Sequence, residues 1–228
     1  MLRLRFFALL ALTFALPLRS VPSWADDIWI WPAAYRSREL LPQNQPYLVL
    51  QRHVTASGEM RAMGPSPWPW PIKELTVVFR FERAPDPKAV LAEFLKLRSR
   101  WEAKGVRIVG LQLDYDSPSK KLEFYQRDLK VLHTSLPSDV KLSITGLTDW
   151  LKLDRMRLND FKVLVYFQLY QESREHHEKE RHLDKLAHAK FPFKIGLLPK
   201  QVLAENERDL LLKNPNFNGF AFFYGKRL

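Results

Sequence analysis

The stretch "GLQLDYDSP", Gly110 to Pro118, carries an apolar alternation into two acids, Asp114 and Asp116, one residue apart. Residues two apart on a strand share a face and lie about 6–7 Å apart along the backbone, so their carboxyls can approach closely. Repulsion at that range raises the pKa of one, which then holds a proton while the other stays charged. Hydrolysis of a glycosidic bond uses that division: one carboxyl protonates the leaving oxygen and the other acts as base or nucleophile. Glu82, at the end of "LTVVFRFE", is an alternative source of the second carboxyl. Arg80 would tune the charge on the acids. Gln112, Thr145, Gln168 and Tyr170 would offer hydrogen bonds to a substrate, and Trp150 a flat aromatic face.

Two structural alternatives stand beside this reading. Asp116-Ser117-Pro118 has the form of a helix start, so Asp116 could serve as an N-cap. Asp114 lies too far before that helix to cap it, and a buried carboxylate needs a partner. Its alternative role is an ion pair with Arg80, since structural ion pairs perturb carboxylates as active sites do.

The elements that must position these residues recur along the chain. Strand-like runs are expected at Ile28–Trp31, Tyr47–Gln51, Leu75–Glu82, Val106–Asp116, Lys141–Leu147, Lys162–Tyr170, Phe193–Leu198 and Phe217–Tyr224. Helical spacing of apolar residues is expected over Lys88–Lys104, Pro118–Leu136, Glu172–Ala189 and Gln201–Lys213. Strand–helix alternation implies parallel strands joined by right-handed crossovers. Eight strands point to an α/β fold, a small (β/α)8 TIM-like barrel with some helices reduced; an open α/β sheet is the alternative. In the fourth strand Val109, Leu111 and Leu113 share one face, which suits packing against helices, and Gln112, Asp114 and Asp116 share the other. The acids sit at the C-terminal end of the strand, where such barrels build their sites. Arg80 and Glu82, Ser143 and Thr145, and Tyr166, Gln168 and Tyr170 alternate in the same way on neighbouring strands.

Residues 1–25 have the pattern of a secretory signal peptide: Arg3 and Arg5, an apolar run from Phe6 to Leu18, then Ser23-Trp24-Ala25 before Asp26. Residues 26–228 then form one domain. The chain has no Cys, so no disulfide can brace it. The formal net charge is +11. Losing Arg3, Arg5 and Arg19 with the leader leaves 33 basic against 25 acidic residues, or +8. That balance permits contact with anionic polymers. No DNA-binding motif is visible, and nucleic acid is not expected as a partner of an exported chain. No later segment is long and apolar enough to span a bilayer. "ESREHHEKERH" holds His176, His177 and His182, but both charge signs mix through this stretch as on a solvated helix face, and no metal is expected. Gly-rich phosphate loops, the G-x-S-x-G elbow and a Cys nucleophile are all missing, and no cofactor is expected.

The segments "VGLQLDYDSP", "LSITGLTDWL", "FKVLVYFQLY", "PFKIGLLP" and "FNGFAFFYGKRL" resemble the successive strands of an uncharacterised bacterial family, domain of unknown function 3142, from about Ile28 to the end. The resemblance implies a TIM barrel related to glycoside hydrolases, a periplasmic or secreted location, and a link to poly- or oligosaccharide. A more distant similarity is to chitinase-like glycosidases, whose fourth strand carries alternating acids ending in a catalytic glutamate. Asp114 and Asp116 match two of those positions; the next on that face is Pro118. A monomeric glycoside hydrolase-like protein is therefore expected, with a non-catalytic envelope barrel that binds glycan or a partner as the alternative.

Overall fold

The computed structural model describes residues 26–31, 45–66, 72–152, 163–169 and 176–224; for residues 152 and 176–178 it describes the backbone alone. The proposed leader lies outside the described residues. The strands are β1 (Asp27–Ile30), β2 (Tyr47–Val54), β3 (Met60–Ala62), β4 (Glu74–Phe81), β5 (Arg107–Tyr115), β6 (Lys141–Gly146), β7 (Leu164–Gln168), β8 (Phe193–Leu197) and β9 (Phe217–Tyr224). The helices are α1 (Pro87–Glu102), α2 (Leu122–Ser135), α3 (His176–Ala187) and α4 (Glu205–Leu212).

Eight of these strands are parallel and run β1-β2-β4-β5-β6-β7-β8-β9, with β9 returning to β1. The sheet closes on itself, which excludes the open-sheet alternative and is consistent with a TIM-like barrel. Four helices among the described residues accompany the eight parallel strands. β3, which alternation did not reveal, is three residues long and pairs antiparallel with the end of β2. β2 also continues to Val54, three residues beyond its expected end.

Local sequence explains the elements around the site. Asp86 accepts a hydrogen bond from the Lys88 amide at 3.0 Å, and Pro87 occupies the first turn of α1, where a missing amide proton costs nothing. Val90, Phe94, Leu97 and Trp101 then fall on one face and are buried. The expected helix over Pro118–Leu136 is instead a 3-10 turn at Ser119–Lys121 followed by α2. Pro118 is extended there, and no side chain caps the turn. Asp116 is therefore not an N-cap, which corrects the structural role expected for it.

Two apolar cores result. Between barrel and helices, Phe94, Trp101, Tyr125 and Leu129 pack against Leu111, Leu113 and Ile144. Inside the barrel, Trp29, Leu48, Leu50, Val78, Tyr166, Ala221 and Phe223 form a second cluster. The Trp29 ring lies 4.1 Å from that of Phe223 and 6.3 Å, edge-on, from that of Tyr166. Gly196 permits this packing, because a Cβ there would overlap the Phe223 ring. α3 is not wholly a solvated face, since His182, Leu183 and Leu186 are buried.

A charged pair lies within this interior. Asp27 accepts from Lys194 Nζ at 2.7 Å and from the Tyr166 hydroxyl at 2.6 Å, tying β1 to β8 and β7. Burial raises the Asp27 pKa; Lys194 and Tyr166 oppose the rise. Removing one member of a buried pair strands the other, at a cost of about 3–5 kcal/mol. Lys194→Met is expected to destabilise the protein by roughly that amount at pH 8. The stranded carboxyl would hold its proton to higher pH when folded than when unfolded, so the deficit should shrink as pH falls towards 5. Chemical denaturation at both pH values checks this; a pH-independent deficit would show that Asp27 is not the group left unpaired.

Candidate active site at the barrel mouth

In the β4–β5 register Arg80 lies opposite Asp114 and Val78 opposite Gln112; Gln112 in turn lies opposite Ser143 of β6. These residues share the inner face, as alternation predicts. Thr145, two residues beyond Ser143, donates from Oγ1 to Asp114 Oδ1 at 3.1 Å and accepts from the Tyr115 amide at 3.2 Å. One hydroxyl thus fixes both the acid and the backbone beside it. Arg80 Nη1 stands 3.9 Å from Asp114 Oδ2, beyond hydrogen-bond range.

The two acids occupy different environments. Asp114 is 7% exposed, whereas Asp116 lies past the end of β5 and is exposed. Burial is the main reason that the Asp114 pKa rises to about 6; Asp116 adds to the rise, while Arg80, the Thr145 hydrogen bond and His53 oppose it. A carboxyl in that range can hold a proton near neutral pH and release it in a reaction. Asp116 makes no hydrogen bond or ion pair among the described residues and is open to a ligand.

Glu82 is anchored at the rim. Its Oε1 is 2.9 Å from His53 Nε2, and its Oε2 accepts from the Ala56 amide at 2.9 Å. His53 was not among the expected site residues. It enters because β2 carries an extra residue between Leu50 and Arg52, after which Arg52 pairs with Phe79 and His53 with Arg80. The bulge is held by the Met63 amide, which donates to the Gln51 carbonyl at 3.1 Å, and by Trp101 Nε1, 3.4 Å from Gln51 Oε1. Arg52 turns outward to Glu93 of α1, with Nη2 2.7 Å from Oε1, and His53 turns inward.

The other expected residues divide. Gln112 is fully buried two residues before Asp114, and neither end of its amide meets a partner among the described residues. Gln168 is half-buried at the end of β7. Tyr170 lies outside the described residues. Trp150 is wholly buried and cannot offer a face to a sugar ring, which corrects that expectation. Its indole N–H donates to the Ser117 carbonyl at 3.0 Å, and its ring lies 6.2 Å from Tyr125, so it braces the turn beyond Asp116 from behind. Trp31, just past β1, is an aromatic residue at the mouth, with the Arg80 guanidinium 5.0 Å from its ring centroid. Among the described residues, no group of three or more His, Asp or Glu side chains is arranged to hold a metal ion.

A site acid and a structural ion pair at this position differ in what substitution does to stability. Folded Asp114 keeps its proton to about pH 6, against an ordinary value of 3.8. The fold therefore loses stability as pH rises from about 4 to about 6, by roughly 1–3 kcal/mol. Asn at this position carries no such charge, and Arg80, 42% exposed, stays solvated without it. Asp114→Asn is expected to melt higher than the wild type at pH 7.5 and level with it at pH 4. A lower melting temperature at pH 7.5 would show that the Arg80 contact holds the fold instead. Asp116→Ala, at an exposed position without a partner, should change stability by less than about 0.5 kcal/mol in the same melts.

Residues 76–163, from β4 to the residue before β7, match the sequence model of a family described as a domain of unknown function (DUF3142). No curated protein matches the chain. The matched segment includes Arg80, Glu82, Asp114, Asp116 and Thr145, and over it the resemblance to this uncharacterised family is shown.

Proposed function

We propose that the protein is a carbohydrate-active hydrolase that cleaves glycosidic bonds at the C-terminal mouth of its barrel. The observation that carries this reading is the contrast between Asp114 and Asp116: a buried acid with its pKa raised to about 6 stands two residues from an exposed one. Asp114 would protonate the leaving oxygen, and Asp116 would activate water or attack the sugar. Thr145 holds the acid in place, and Gln168 supplies polar contacts from the neighbouring arc of the rim. Glu82, engaged by His53 and the Ala56 amide, is better placed to fix the rim than to react. The leader-like residues 1–25 support action outside the cytoplasm, in the periplasm or after secretion.

The test is a panel of poly- and oligosaccharides assayed for reducing ends across pH 4–8. Turnover is expected to fall by about tenfold per pH unit above about 6, as the acid loses its proton. Asp114→Asn should lower it by at least about a hundredfold. Absence of turnover on every glycan, or turnover indifferent to this substitution, would reject the proposal.

The deep position of Asp114 favours a second reading, a barrel that binds glycan without cleaving it. There the exposed Asp116 and Trp31 would make the contacts, and Asp114 would only shape the electrostatics. Glycan binding retained in Asp114→Asn, with no turnover by the wild type, would select this reading.

A further inference from the structure

Arg80 stands beside a buried acid without a close ionic partner. Arg52, Arg61 and Arg98 each have a carboxylate oxygen within 2.8 Å, and Arg107 is paired closely with Glu74. The Arg80 side chain has only the 3.9 Å approach to Asp114 and makes no hydrogen bond among the described residues. Its guanidinium is nevertheless held in place, with its carbon 5.0 Å from the centroid of the Trp31 ring. Trp31 is itself tied down, its amide donating to the Tyr224 carbonyl at 3.1 Å. Stacking on an aromatic face leaves the edge of a guanidinium, with its N–H groups, free to bind. The result is an oriented cation with open donors at the rim of the acid pair.

From this geometry we infer that the ligand of the mouth carries a carboxylate, as in a uronic acid residue of an acidic polysaccharide, and that Arg80 binds it in a two-pronged contact. The inference rests on the carbohydrate reading and deepens it. A planar carboxylate matches the guanidinium edge with two parallel hydrogen bonds. A single negative charge suits the site better than a dianionic phosphate, because Asp116 and Glu82 flank the same rim and would repel the second charge. His53 lies opposite Arg80, its Nε2 2.9 Å from Glu82 Oε1. The substrate would also assist the acid. Arg80 lowers the Asp114 pKa in the free protein. A carboxylate bound to Arg80 offsets that effect, so Asp114 keeps its proton more firmly when the sugar is aboard.

The experiment is titration calorimetry of the full chain with glucuronate, galacturonate and mannuronate oligosaccharides and with their carboxyl-reduced, neutral counterparts. At least one acidic series should bind about tenfold or more tightly than its neutral counterpart at 20 mM salt, with the advantage shrinking at 300 mM. Arg80→Gln should remove the advantage, weakening the binding of acidic sugars by about tenfold more than that of their neutral counterparts. Equal affinity for acidic and neutral sugars, or a preference that survives Arg80→Gln, would overturn the inference while the carbohydrate reading stands. Binding of neither series would overturn both. Should Arg80→Gln not fold, the salt series on the wild type decides: an acidic preference insensitive to salt would reject a charged contact.

Discussion

Strand β1 contributes four residues, and through them the barrel closes, because they pair in parallel with β2 on one side and β9 on the other. So short a strand provides few backbone hydrogen bonds, and its side chains add to them. Trp29 packs on Phe223 and Tyr166 inside the barrel, while Asp27 reaches Lys194 and Tyr166. Closure in turn fixes the rim. Trp31, just past β1, is carried round to Arg80 of β4, so the cation over the site depends on the strand that completes the circle.

The same closure accounts for the different environments of the two acids. Within the barrel water is scarce, and a carboxyl that cannot be hydrated holds its proton longer. Asp114, on the last turn of pleat inside β5, experiences that exclusion; Asp116, past the strand end, does not. Their difference follows from where β5 stops, and the stop is set from outside the barrel. Trp150 and Tyr125 pack behind the turn, and the Trp150 indole takes the Ser117 carbonyl. A residue that never meets solvent thus braces the turn that carries Asp116 out of the barrel.

Much of this was legible in the sequence, for a physical reason. Strict alternation places side chains on faces, so Arg80, Asp114 and Thr145 could be assigned to one interior from "FRF", "LDY" and "ITG". Apolar runs marked all eight parallel strands. What alternation could not give were its exceptions and its ambiguities. His53 was missed because a bulge reverses the phase of β2, and β3 because three residues, two of them exposed, leave no apolar pattern. Trp150 was misplaced because a tryptophan near a loop reads alike as binding surface or as packing. The capping role of Asp116 failed because the chain remains extended through Pro118 before it turns.

The bulge at Gln51 has an implication for how relatives of this chain are compared. Which of Arg52 and His53 enters the barrel depends on the parity of residues between Leu50 and the rim, and on whether the extra residue is looped out. A homologue one residue shorter here, with a regular strand, would present the same histidine to the interior. A homologue of equal length with a regular strand would present the arginine instead, and its mouth would gain a permanent charge without a single substitution. At this point a column-by-column alignment can report identity where the chemistry differs, and a gap where it is the same.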